Sequence, residues 1–131
     1  MKQKIVKALK IVAMTRGTVV LDENLQNLES FLKDRNMHVV VPPTGTSDEK
    51  IAKLYASHRI LITNNSKDFI QLAPEYSLGI IATEKLKTKD PEELTKIISS
   101  AISKLSLWSK RHGYILQLKE SNQHTFKPLV D

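Results

Sequence analysis

The sequence predicts an α/β fold: three layers, α/β/α, around a mostly parallel central sheet, with an added N-terminal helix and a C-terminal β-hairpin. Three observations predict it. Short apolar runs rich in β-branched residues recur at 18–22, 37–42, 59–63 and 78–83. Between them, apolar residues return every three or four positions, the spacing of an amphipathic helix. Strands alternating with helices build βαβ units, whose strands run parallel. No repeat, low-complexity tract or long linker divides the 131 residues, so residues 1–131 are expected to form a single domain.

The elements follow in order. Residues 3–14 place Ile5, Val6, Leu9, Val12 and Ala13 on one side of a helix with lysines on the other, and Arg16-Gly17 ends it. "TVVLD" (18–22) reads as a buried strand. In 24–36, Leu25, Leu28, Phe31 and Leu32 share a helix face. "MHVVVP" (37–42) is a strand stopped by Pro42-Pro43. "PTGTS" is a loop, and Ser47 suits the N-cap of a helix over 48–58 whose acids sit at its positive end. "RILIT" (59–63) is the third strand, and a short helix is expected from Ser66 to just before Pro74. "LGIIAT" (78–83) is the fourth.

The longest helix is expected over 90–112. Asp90 is its N-cap, Pro91 suits the first turn, and Glu92 and Glu93 favour the dipole. Leu94, Ile97, Ile98, Ala101, Ile102 and Leu105 form its buried stripe. Residues 113–120 then alternate and pair with 124–130 through a turn, as a hairpin.

Composition narrows the function classes. The chain has no cysteine, which excludes disulfides and thiolate metal sites. Lys7 and Lys10 interrupt any signal-peptide core, and no segment reaches the roughly 18 apolar residues of a membrane span. The expectation is a cytoplasmic protein with no membrane partner. The formal net charge of +6 favours a polyanion, RNA or DNA first. With three Phe, three Tyr and one Trp, a base-stacking platform is not expected. His38, His58, His112 and His124 show no ligand-like spacing.

Parallel strands put their carboxyl ends on one edge, where ligands of open α/β sheets bind. Asp22, Glu23 and Asn24 end the first strand. Ser47, Asp48 and Glu49 follow the second. Asn64, Asn65, Ser66 and Asp68 follow the third, and Thr83 and Glu84 the fourth. Crowded carboxylates resist joint ionisation, and a hard divalent cation relieves that conflict. Mg²⁺ or Mn²⁺ there would activate water and stabilise charge on a phosphoryl oxygen. Lys50, Lys53, Lys67 and Lys85 lie near these junctions and are candidates for the RNA backbone. Each acid taken singly also has a plainer explanation as a helix cap, and Lys67 as a structural ion-pair partner.

"VVLDENL", "GTSDEKIAKLYASHRILITNNSKDF" and "LGIIAT" resemble the PIN-like proteins that serve as toxins of toxin–antitoxin pairs. The likeness lies in Asp22-Glu23-Asn24 after a first strand, Ser47-Asp48 opening a helix, and Thr63 leading to Asp68-Phe69. It covers residues 18–84, about half the chain. The resemblance implies a small α/β ribonuclease with an acidic Mg²⁺ or Mn²⁺ site formed by Asp22, Asp48 and Asp68. Glu23, Asn65 and Thr63 would orient water or support those acids. It further implies RNA as substrate, a cognate antitoxin and a homodimer as partners. Many relatives carry Asp-x-Asp-Phe after the third strand. Here Asn65 and Ser66 precede Lys67-Asp68, and Asn65 brings no charge.

Two other classes fit the same residues. One is a catalytically silent RNA- or protein-binding module. The other is a pseudo-receiver, with Asp22-Glu23 as acidic pair, Thr83 as switch hydroxyl and Lys85 as partner. In that reading Asn64 stands where a phospho-acceptor acid is required, and an amide forms no acyl phosphate.

Overall fold

The computed structural model describes residues 18–105, 114–119 and 124–128. The expected helix over 3–14 and the end of the helix over 90–112 lie outside them.

Six strands form one sheet: β1 (Thr18–Leu21), β2 (His38–Val40), β3 (Ile60–Thr63), β4 (Gly79–Ala82), β5 (Tyr114–Leu118) and β6 (His124–Pro128). Their order is β2-β1-β3-β4-β5-β6. The first five are mutually parallel, and β6 returns antiparallel on β5. The mixed α/β class, the parallel sheet and the C-terminal hairpin match the sequence expectation.

Register explains the continuous apolar runs. Leu21, Ile62, Ile81 and Leu116 are successive Cα partners across four strands, and all four face one core cluster. Val20, Leu61, Ile80 and Ile115 form the next row and face the other. A sheet covered on both faces needs apolar residues at both parities, so its strands do not alternate.

The helical segments are less regular than predicted. A 3₁₀ turn, Glu23–Leu28, bends at Leu25 and continues as α1 (Glu29–Lys33). Helix α2 (Asp48–Lys50) passes into a π-helical turn, Ile51–Tyr55, in which the Ala56 N–H reaches the Ile51 carbonyl at 2.8 Å. Ser47 caps α2 as expected, its hydroxyl accepting from the Lys50 N–H. The single short helix expected to end before Pro74 is instead two elements. A 3₁₀ turn spans Ser66–Asp68, and α3 (Leu72–Tyr76) contains Pro74. Proline is tolerated there because first-turn N–H groups have no intrahelical partner. Strand β2 stops short of 37–42 because Pro42 offers no ladder donor.

Helix α4 (Pro91–Leu105) begins as predicted, with the Asp90 carboxylate accepting from the Glu93 N–H at 3.1 Å. Leu94, Ile98, Ala101 and Ile102 are buried against the sheet. Thr95, outside the predicted stripe, is also buried and returns its hydroxyl to the Pro91 carbonyl.

The 23–33 segment and α4 pack together on one face; α2, its π turn and α3 cover the other. Strand order proceeds in one direction through β3, β4 and β5, yet α3 and α4 lie on opposite faces. The β4–α4–β5 crossover therefore has the opposite hand to β3–α3–β4, an uncommon arrangement. Leu86, buried with the α4 cluster, anchors the chain on that face just after β4. No helix among the described residues is long and apolar enough to cross a membrane.

Candidate functional site at the carboxyl edge

The direction in which strands are added to the sheet reverses between β1 and β3. From β1 the chain moves outward to β2, then crosses back to β3 and continues through β4. The two connections diverge here, and in open α/β sheets such divergence leaves a crevice at the strands' carboxyl ends.

Asp22 stands at this point, immediately after β1, and is only 9% exposed. Its backbone N–H extends the ladder to the Ile62 carbonyl at 3.0 Å. One carboxylate oxygen, Oδ1, accepts from the Glu23 N–H at 2.8 Å and so starts the 3₁₀ turn. The other, Oδ2, accepts from the Thr63 hydroxyl at 2.8 Å. A buried carboxylate needs such partners, since desolvation without them is costly.

Thr63 is fully buried and works in both directions. While its hydroxyl donates to Asp22, its Oγ1 accepts from the Asn65 N–H at 3.0 Å. The Asn65 side-chain amide then donates to Asp68 Oδ2 at 2.5 Å. Asp22, Thr63, Asn65 and Asp68 thus form one continuous hydrogen-bonded chain from the end of β1 to the turn after β3. Asn65, expected to orient water or support the acids, uses its amide to hold a carboxylate.

Asp48 and Asp68 are exposed at the crevice rim. The Asp48 carboxyl is nevertheless held above the usual carboxylate range. Partial burial is the largest cause, followed by the negative charges of Asp68 and then Asp22. Acids from three separate βα junctions therefore share one electrostatic field.

Glu23 accepts from the Gly45 N–H at 3.1 Å, tying the loop after β2 to the end of β1. Gly45 has φ of 89°, a left-handed conformation that favours glycine. Lys50, Lys53, Lys67 and Lys85 are all exposed, and none forms an ion pair with a described carboxylate. The ion-pair alternative for Lys67 finds no support among the described residues.

Sequence reasoning placed Glu84 on this edge but gave it no role. Its carboxylate accepts from the Ser66 hydroxyl at 2.5 Å and the Ser66 N–H at 3.3 Å. Ser66 is buried, so Glu84 holds the start of the turn that presents Asp68. Thr83 donates its hydroxyl to the Thr63 carbonyl at 3.3 Å, which fastens β4 to the same corner. A serine directly before Lys67-Asp68 and a glutamate two residues after β4 are the sequence signals of this clamp, and neither is specific.

No family model, curated protein or solved structure matches this chain. Its chemistry is read from its own residues. The edge supplies carboxylate and hydroxyl oxygens, the donors that suit a hard cation. Mutual repulsion at Asp48 is the conflict such a cation relieves. Among the described residues, no three acidic or histidine side chains are arranged to hold a metal ion by themselves.

Proposed function

We propose that this protein is a PIN-like, Mg²⁺- or Mn²⁺-dependent endoribonuclease that hydrolyses RNA phosphodiesters, acting in the cytoplasm as the toxin of a toxin–antitoxin pair. The observation that carries the nuclease reading is the Asp22–Thr63–Asn65–Asp68 chain at the β1/β3 crevice, with Asp48 facing both carboxylates. The toxin assignment, with its cognate antitoxin and homodimer, rests on the resemblance of residues 18–84 to that family.

In this reading Asp22, Asp48 and Asp68 would hold the cation, directly or through its waters. A divalent ion supplies an activated water and stabilises charge developing on a phosphoryl oxygen. The chain's own residues supply orientation. Thr63 fixes the Asp22 carboxylate, Asn65 fixes Asp68, and Glu84 secures the turn between them through Ser66. Such outer partners keep ligand oxygens aimed. Exposed Lys50, Lys53, Lys67 and Lys85 would bind the phosphate backbone.

The test is cleavage of a labelled RNA with Mg²⁺ or Mn²⁺. EDTA should abolish it, and Asp22→Asn should reduce it at least about 10²-fold while circular dichroism stays unchanged. Activity that survives both EDTA and Asp22→Asn would overturn the metal mechanism.

A second reading has a specific observation in its favour. Both oxygens of Asp22 and one of Asp68 already have protein donors, and Asn65 is neutral. A silent RNA-binding module, or a pseudo-receiver that binds a partner, is compatible with that. RNA binding that persists in EDTA, with no cleavage under any divalent metal, would select it.

A further inference from the structure

Beside the acidic edge lies an open hollow of about 450 Å³, within the range of small-ligand sites. Its floor is the 44–47 loop; its walls are Lys50, Leu54 and Tyr55. The two kinds of lining differ in character. The loop offers hydroxyls and backbone, with Lys50 as the cation. Leu54 and Tyr55 offer apolar surface. Leu54 is 66% exposed, the most exposed large hydrophobic residue described, whereas the Tyr55 ring rests partly on the core.

Three features mark this arrangement as more than a surface irregularity. Leu54 and Tyr55 sit on the π-helical turn, and π turns inside helices recur at functional sites because they re-aim side chains. Nothing in the packing requires Leu54, which lies outside both core clusters. The Glu23–Gly45 bond fastens the hollow's loop to the end of β1, so hollow and acids are fixed relative to each other.

We infer that this hollow binds one unpaired nucleotide of a single-stranded RNA, the base against Leu54 and Tyr55 and a phosphate at Lys50. The inference deepens the nuclease reading and rests on it for the substrate class. A flat base suits an apolar wall with a polar rim, and an adjacent cation suits the phosphate. Asp48 and Glu49 in the first turn of α2 repel anions, which leaves Lys50 as the phosphate contact. A base held in a duplex is stacked on both sides and has no free face for Leu54. The site therefore selects single strands, and it does so with one hollow instead of an aromatic platform.

The experiment measures binding by fluorescence anisotropy in EDTA, where no metal-dependent cleavage occurs. The probes are an unstructured RNA hexamer, the same sequence as a duplex, and adenosine monophosphate. Wild type should bind the hexamer more tightly than the duplex. Leu54→Ser, which removes the apolar contact without adding charge, should weaken hexamer binding several-fold. Lys50→Gln should weaken it several-fold and lower the salt slope by about 0.7, one single-strand phosphate contact. Lys96→Gln, on the exposed surface of α4, serves as control and should leave hexamer affinity and salt slope unaltered. Equal hexamer affinity in wild type and Leu54→Ser would overturn the proposal, as would equal binding of hexamer and duplex. Saturable binding of the mononucleotide with none of the hexamer would overturn it in favour of a free-nucleotide site. No cleavage by the wild type once Mg²⁺ or Mn²⁺ is supplied, with hexamer binding intact, would instead overturn only the nuclease reading.

Discussion

The junctions after β1, β2 and β3 differ from the junction after β4. The first three lead into a kinked 3₁₀ turn, a three-residue α-helix that becomes a π turn, and another 3₁₀ turn. The fourth leads, after an eight-residue loop (83–90), into the fifteen-residue α4. Helix formation is cooperative, so short irregular pieces persist only when something besides their own hydrogen bonds fixes them. Here it is core packing, through buried Leu25 and Leu28, Ile51 and Ala52, and Phe69. Asp90 at α4 is fully accounted for as a cap. Capping explains one oxygen of Asp22 and leaves its bond to Thr63 unexplained. It does not explain Asp48, because Ser47 is the cap, nor Asp68, which ends its turn. Asp48 and Asp68 thus stand on this edge without a capping role, and Asp22 has an oxygen beyond its own cap.

The comparison is sharpened first by its regular half. Ile98 on α4 is fully buried in the core cluster and makes no hydrogen bond to the acidic edge through its side chain. Ile98→Ala should cost about 2–5 kcal/mol of stability, read as a fall in urea midpoint. RNA binding by the folded fraction should be unchanged. A large loss of affinity at unchanged folding would show that the two regions are coupled, which breaks the distinction.

Thr63→Val comes next. The side chains are nearly isosteric, but the substitution deletes the donor to Asp22 and the acceptor for the Asn65 N–H in a fully buried corner. Leaving buried polar groups unsatisfied costs about 1–3 kcal/mol. Cleavage should fall more than stability does, because the carboxylate loses its orientation as well. Stability equal to wild type, by denaturant titration, would mean that the chain of hydrogen bonds is not holding the corner. Asp90→Ala, the matching change at the regular junction, should cost about 1 kcal/mol with no effect on cleavage.

How much of this could be read from the residues follows from the same contrast. Strand positions were legible because a doubly covered sheet makes uninterrupted β-branched runs, and 18–21, 60–63 and 79–82 lie within the predicted spans. Helix α4 was legible because periodicity and caps agree over many residues. The segments over 24–36, 48–58 and 66–73 read as simple helices, since apolar spacing does not distinguish 3.0, 3.6 and π-type turns over so few residues. At the site, the edge position of Asp22, Asp48 and Asp68 followed from parallel topology. Asn65 as a donor to Asp68, and Glu84 as the clamp on Ser66, depend on side-chain rotamers in a turn, which no periodicity encodes.

The smallest expected effect decides whether the three acids form one site. The Asp48 carboxyl is raised above its ordinary value, so it takes up a proton on folding within that interval. Stability therefore falls as pH rises through the raised value, and the cost is fully present at neutral pH. Asp48→Asn should stabilise the protein at pH 7 by less than about 1 kcal/mol, the scale of solvent-screened charge interactions. That gain should shrink as pH falls and vanish below 3.8, the ordinary value of this carboxyl. Salt should remove only the part due to Asp68 and Asp22, leaving the larger part due to burial. In an Asp68→Asn background the gain should be smaller still, as interacting charges are not additive. If denaturation curves give the same gain with and without Asp68, and with and without Asp22, the carboxylates do not share a field, and convergence on a common cation loses its physical basis.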